Sequence, residues 1–150
     1  MAEIFPNEGL DYILGVIPKA GTTPTTLYLG LFTSQTASTV LTQTQTLAAN
    51  ITEAAFSGYT RVAVASTDWG SAGDQTIWTQ TVRGVVASQK SFPACTGTSA
   101  TAINGFFISS TSVVSAGICI WASNFSDSTA IASLALGDIV KVTPTWGFGG

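Results

Sequence analysis

Two aspartates in a glycine-rich stretch, Asp68 and Asp74, form the closest non-helical pair of carboxylates in the chain. Paired carboxylates can serve as acid and nucleophile in glycoside hydrolysis, or as oxygen ligands for Ca²⁺. The spacing favours neither, since calcium sites gather more carboxylates in a tighter pattern, and an aspartate beside glycine is read first as a turn cap. The rest of the catalytic repertoire is thin. The 150 residues include no histidine, which removes the commonest general base, the commonest metal ligand and the usual serine or cysteine triads. Cys95 and Cys119 are too few for a structural zinc site, and without a secretory start they are expected as free, buried thiols. Neither a Walker loop nor a dinucleotide fingerprint is present. The glycine-rich tail Trp146–Gly150 opens no helix and so offers no phosphate cradle. The expectation is a protein without catalytic residues, cofactor or metal.

What remains is surface. Sugars stack on exposed indoles, and of Trp69, Trp78, Trp121 and Trp146 only the loop residue Trp69 is a fair candidate for exposure. Trp121 and Trp146 lie in strand-like runs and are assigned to the core, while Tyr59 offers a second stacking group. Charge is sparse: 9% of residues are charged and 45% hydrophobic, where about 25% charged is ordinary. With 5 Lys and Arg and a net charge of -3, the chain lacks the basic footprint of a nucleic-acid binder or a polybasic membrane anchor. Its hydrophobicity is too high for disorder. The acidic start has no basic n-region, and Tyr12–Ile17 is far shorter than the ~20 apolar residues of a membrane span. The sequons at Asn50 and Asn124 carry no weight without a secretory route. A surface built from Thr, Ser, Gln and Asn repels neighbours weakly, which suits a component of an assembly.

The elements that must position these groups follow from periodicity. Leu10, Ile13, Leu14 and Ile17 fall at helical spacing, with Asn7 as N-cap, Glu8 and Asp11 in the first turn, and Pro18 as the stop. This segment, residues 1–17, reads either as a plug on one end of the domain or as an arm gripping a neighbour. Phe5, Leu10 and Tyr12 are its interface candidates, alongside Tyr59 and Trp69. Leu27–Thr33 alternates with two apolar faces, the mark of a strand covered on both sides. Residues 34–50 form an uncharged, polar stretch expected as a long loop. Ile51–Phe56 is expected as one helical turn capped by Thr52, followed by a strand over Gly58–Val64. Two more strands are expected at Thr76–Thr81 and Val85–Phe92, broken near Arg83–Gly84, with a loop over Pro93–Ala102. The runs INGFFIS, ICIWAS and DIVKVTPTW then supply the sheet core. Leu29, Leu31, Val62, Val64, Phe106, Ile108, Ile120, Trp121, Ile139 and Val142 are expected to be buried. Seven or eight short strands at even spacing predict one all-β domain over residues 1–150, a β-sandwich or jelly-roll-like fold with a short N-terminal helix.

The layout FPNEGLDYILGVIP, TLYLGLFTS, GYTRVAVA, SFPA, NGFFIS, IWASNFSD and LGDIVKVTPTW resembles small virion structural proteins of tailed bacteriophages, most of all the head decoration or cement type. That resemblance implies a protein made in the host bacterial cytoplasm and located on the virion. There it would bind the major capsid protein of the phage head and stabilise the shell. The alternative it leaves open is a tail or fibre component that binds a host receptor or glycan. Symmetric lattices favour cyclic partners, so self-association is expected, with a trimer as the first choice.

Overall fold

The computed structural model describes residues 3–4, 7–16, 25–34, 51–77, 80–125 and 130–148. In chain order the elements are β1 (Glu3–Ile4), α1 (Asn7–Val16), β2 (Thr26–Phe32), β3 (Val62–Ala65), a 3-10 turn (Ser66–Asp68), β4 (Gly73–Ile77), β5 (Gln80–Val86), β6 (Lys90–Ser91), β7 (Gly105–Ser109), β8 (Cys119–Asn124), β9 (Lys141–Val142) and β10 (Thr145–Phe148). The β-branched and aromatic runs have formed strands, and every pairing among the described strands is antiparallel. Five strands make the main sheet in the order β1-β8-β7-β2-β3, three make a second sheet, β10-β5-β4, and β6 pairs with β9.

Alternation along β2 decides which side faces what. Leu29 and Leu31 point to one face and lie opposite Ile108 and Phe106 of β7. Val64, Ile120 and Trp121 join them there, and the layer is closed by Phe92, Ile103, Leu134, Val140 and Val142 from the connections and from β6–β9. The other face carries Phe32, Phe107, Cys119 and Ala122, covered by Ile51. A strand with apolar residues on both sides therefore sits in the middle of two packed layers, as its pattern predicts. Gly30 allows this: a Cβ there would run into the Phe107 ring. The result is an all-β, layered architecture with one short N-terminal helix.

That helix docks on its own domain. The Cys119 N–H donates to Glu8 Oε1 at 2.7 Å, β1 adds to the edge of β8, and Gly9 is buried because its backbone rests on the Ile120 carbonyl. Tyr12 and Ile13 pack against the core. The face that docks is thus set by Gly9 and Tyr12, and the expected stripe is only partly used: Leu14 is 57% exposed. Ile17, Pro18, residues 35–50 of the expected loop, and Trp78 lie outside the described residues.

Four local expectations are corrected. Ile139 is 51% exposed while Val140 and Val142 are buried; Ile139 and Val142 are of opposite parity, so one extended run could not bury both. A turn at Gly137, with φ at +90°, starts the run one residue out of phase with the expected register. Ile51–Phe56 is extended, not helical, because Glu53 bridges to Phe32 and Ala54 N–H donates to Leu31 at 2.8 Å. The strand expected from Gly58 starts only at Val62, after a turn in which Tyr59 N–H donates to the Phe56 carbonyl at 2.9 Å. Finally, Thr76–Thr81 spans a hairpin in which Thr76 pairs with Thr81, and β5 runs unbroken through Arg83–Gly84.

Replacing Phe107, which is 0% exposed, by alanine should cost about 3–5 kcal/mol in urea denaturation. Leu136→Ser, at a position 73% exposed, should change stability by less than about 0.5 kcal/mol. Equal effects would mean that the face between β2 and β7 is not packed as described.

Candidate functional site

Asp68 and Asp74 do not act as a pair. Asp68 closes the 3-10 turn: its Oδ2 accepts from the Ala65 N–H at 2.7 Å and meets Lys90 Nζ at 2.6 Å. The hydrogen bond from Lys90, and then that from Ala65, hold its carboxyl below the usual range. Asp74 lies on β4 and meets Arg83 across the hairpin at 3.0 Å, in an exposed pair. Each carboxylate has its own cation and its own structural task. Among the described residues no group of three or more His, Cys, Asp and Glu could hold a metal ion, and no helix is long and apolar enough to cross a membrane.

The dense polar constellation is elsewhere, around Glu53 and Arg61. Arg61 immediately precedes β3, in phase with Ala63, so alternation turns it onto the Phe107 side of the main sheet. Glu53 lies opposite Phe32 on that sheet, and the reversal at Gly58, with φ at +90°, brings the two together. Their side chains are 0% and 2% exposed for Arg61 and Glu53. The guanidinium grips the carboxylate with two parallel bonds, Nε to Oε1 and Nη2 to Oε2, both 2.8 Å. Tyr59 adds its hydroxyl to Oε1 at 2.8 Å and accepts the Leu31 N–H at 2.9 Å. The Phe107 ring lies 5.0 Å below the guanidinium carbon, a cation–π contact.

Arg61 has a third arm. Nη1 donates to Ser109 Oγ at 2.9 Å and to the Thr111 and Ala116 carbonyls at 2.7 and 2.9 Å. Glu53 Oε2 accepts the Ser115 N–H at 2.6 Å, and Ser115 sits at φ +59°, a conformation uncommon for a residue with a side chain. The connection between β7 and β8 is thereby fastened from beneath. Its tip presents Val113 and Val114 to solvent, 59% and 41% exposed, in a stretch, Ser110–Ile118, without a single charge.

Burial sets the protonation chemistry here. Desolvation pushes the Tyr59 phenol well above its ordinary range, against the bond from Leu31 and helped by nearby Glu53. Burial likewise pushes the Cys119 thiol up, with Glu8 adding to the shift. Both groups stay neutral and unreactive at physiological pH. Cys95 and Cys119 are free and buried.

The surface candidates are scattered. Tyr59 is turned inward, stacked at 6.0 Å on Phe92 and edge-on at 5.2 Å to Phe56. Trp69 is half-buried with its ring 6.1 Å from Trp146. Tyr12 packs on the core, Leu10 is half-buried, and Phe5 lies outside the described residues. The Glu53–Arg61 pair escaped the sequence reading. Its signal was there: an arginine inside the apolar run GYTRVAVA, in a chain with 5 cations in all, needs a buried partner.

A family model described as podophage GP4 fiber I protein gp80 matches residues 1–145. The chain belongs to that family. No curated protein matches it. Membership makes the chain a phage virion structural protein, and the family's description names a fibre where the sequence resemblance pointed first to head decoration. Of the two virion placements left open by the residues, the fibre is the one the gp80 family supports.

Removing one partner of a buried pair strands the other charge, at a cost of about 3–5 kcal/mol, whereas replacing both is often close to neutral. Glu53→Gln should therefore destabilise strongly in urea, and Glu53→Leu with Arg61→Met should recover much of the loss. If the single and double variants are equally unstable, the pair does not hold the connection. In a thiol titration the native protein should react slowly at both cysteines and the denatured, unreduced protein should show two thiols.

Proposed function

We propose that this protein is a non-catalytic structural module of a phage fibre, presenting an internally braced, uncharged surface to its partners. The family match over residues 1–145 carries the reading. The architecture supports it, because the most elaborate polar network among the described residues serves to fix the shape of an exposed connection, Ser110–Ile118, and leaves no charged group free at its centre. Rigid loops on a sheet scaffold are a common way to build recognition surfaces, since little ordering entropy remains to be lost on contact.

The same reading includes self-association. With 5 basic and 8 acidic residues in the chain, electrostatic repulsion between copies is weak, and the exposed apolar residues Leu14, Val113, Leu136 and Ile139 offer contact area. A cyclic homo-oligomer, a trimer in the first instance, fits a repeated fibre element.

Labelling the protein on intact virions should place it on the fibre. Label confined to heads would overturn the reading and return the decoration role, with the major capsid protein as partner. Sedimentation of the purified chain should show an assembly of more than one copy.

A further inference from the structure

Beside the Glu53 network lies a cavity of about 240 Å³ lined chiefly by Thr33, Thr52, Phe56, Ser99, Thr101 and Ile103. Pockets for drug-sized molecules run about 300–1,000 Å³, so this one admits a single small ring. We infer that it is a subsite for one uncharged, polyhydroxylated ring, a neutral monosaccharide unit.

Three observations converge on that chemistry. Four of the lining residues carry hydroxyls, groups that donate and accept as sugar hydroxyls do; Thr33 Oγ1 donates to the Thr52 carbonyl at 3.3 Å and so meets a ligand as an acceptor. Phe56 and Ile103 give the same cavity carbon surface for the apolar face of a ring. The third observation concerns charge. Among the described residues of the lining Glu53 is the only ionisable one, and both of its oxygens are already spoken for. Oε1 accepts from Arg61 and Tyr59, and Oε2 accepts from Arg61 and Ser115. An ionic ligand would find no counter-charge and would lose its hydration, whereas a neutral one meets groups of its own kind.

The walls are also fixed in advance. Thr33 N–H donates to the Thr52 carbonyl at 2.8 Å and Ala54 N–H to Leu31 at 2.8 Å. On the opposite wall Ser99 and Leu134 exchange two bonds of 2.8 and 2.9 Å, and Ile103 and Ile131 exchange two of 2.9 Å. A preformed cavity does not spend binding energy on ordering its own lining. The use of such a subsite on a host surface rests on the fibre reading above; its chemistry rests on the cavity alone.

The test is a titration of ¹⁵N-labelled protein with glucose, galactose, rhamnose and N-acetylglucosamine, and with the charged analogues glucuronate and glucosamine. Saturable shifts are expected at the amides of Thr33, Thr52, Ser99 and Thr101 for at least one neutral sugar, with millimolar affinity and weaker binding of the charged analogues. Thr52→Val with Thr101→Val, isosteric changes at two exposed positions, should weaken that binding by about tenfold while the amide pattern of the core stays in place. No saturable shift at those four amides for any neutral sugar would overturn the inference, as would unchanged binding by the double variant or a preference for a charged analogue. Such a failure leaves the placement on the fibre standing, because virion labelling reads that independently.

Discussion

The bidentate contact between Glu53 and Arg61 is the constraint on which the β7–β8 connection and its seat on the main sheet depend. One guanidinium reaches three parts of the chain at once: the carboxylate after β2, the hydroxyl of Ser109 at the end of β7, and two carbonyls of the following connection. Taking two charges out of water is unfavourable, and such a pair adds little net stability over an apolar substitute. What it supplies is geometry. A planar fork with fixed directions aligns segments that are distant in sequence, which apolar packing alone does less selectively.

The rest of the fold makes that contact possible. Along β7, β8 and the second half of β2 the main sheet is buried on both faces, so a polar group placed beside Phe107 lies out of water and has to be matched bond for bond. Gly30 clears the space for the Phe107 ring, and the ring in turn forms the floor under the guanidinium. Tyr59 belongs to both regions. Its ring stacks in the apolar layer with Phe92, and its hydroxyl ties the Leu31 backbone to the Glu53 carboxylate.

Legibility in the sequence followed the length and regularity of each pattern. The two-faced strand at Leu27–Phe32 and the runs around Phe106 and Trp121 were readable because alternation over several residues leaves one consistent register. Short elements were not. In DIVKVTPTW a two-residue strand gives no room for alternation to declare itself, and the turn at Gly137 shifted the phase so that Val140 took the place assigned to Ile139. Ile51–Phe56 has a plausible cap and an acidic residue behind it, yet pairing with β2 overrode local preference. For Tyr59 and Trp69 the residue types were the right ones to ask about, but a side chain's neighbours come from chain reversals that no local window contains. The Glu53–Arg61 pair is the same case in stronger form: each charge was visible, and only the reversal at Gly58 made them partners.

The way the β7–β8 connection is fastened has a consequence for how the protein can change. Arg61 and Glu53 hold it by the carbonyls of Thr111 and Ala116 and by the amide of Ser115, groups that every residue brings with it. The side chains of Ser112, Val113 and Val114 take no part in that fastening. They are interchangeable lettering on a fixed plate: new residues can be tried there one after another without the frame having to be solved again. The surface of this connection is free to vary while the part that folds stays as it is.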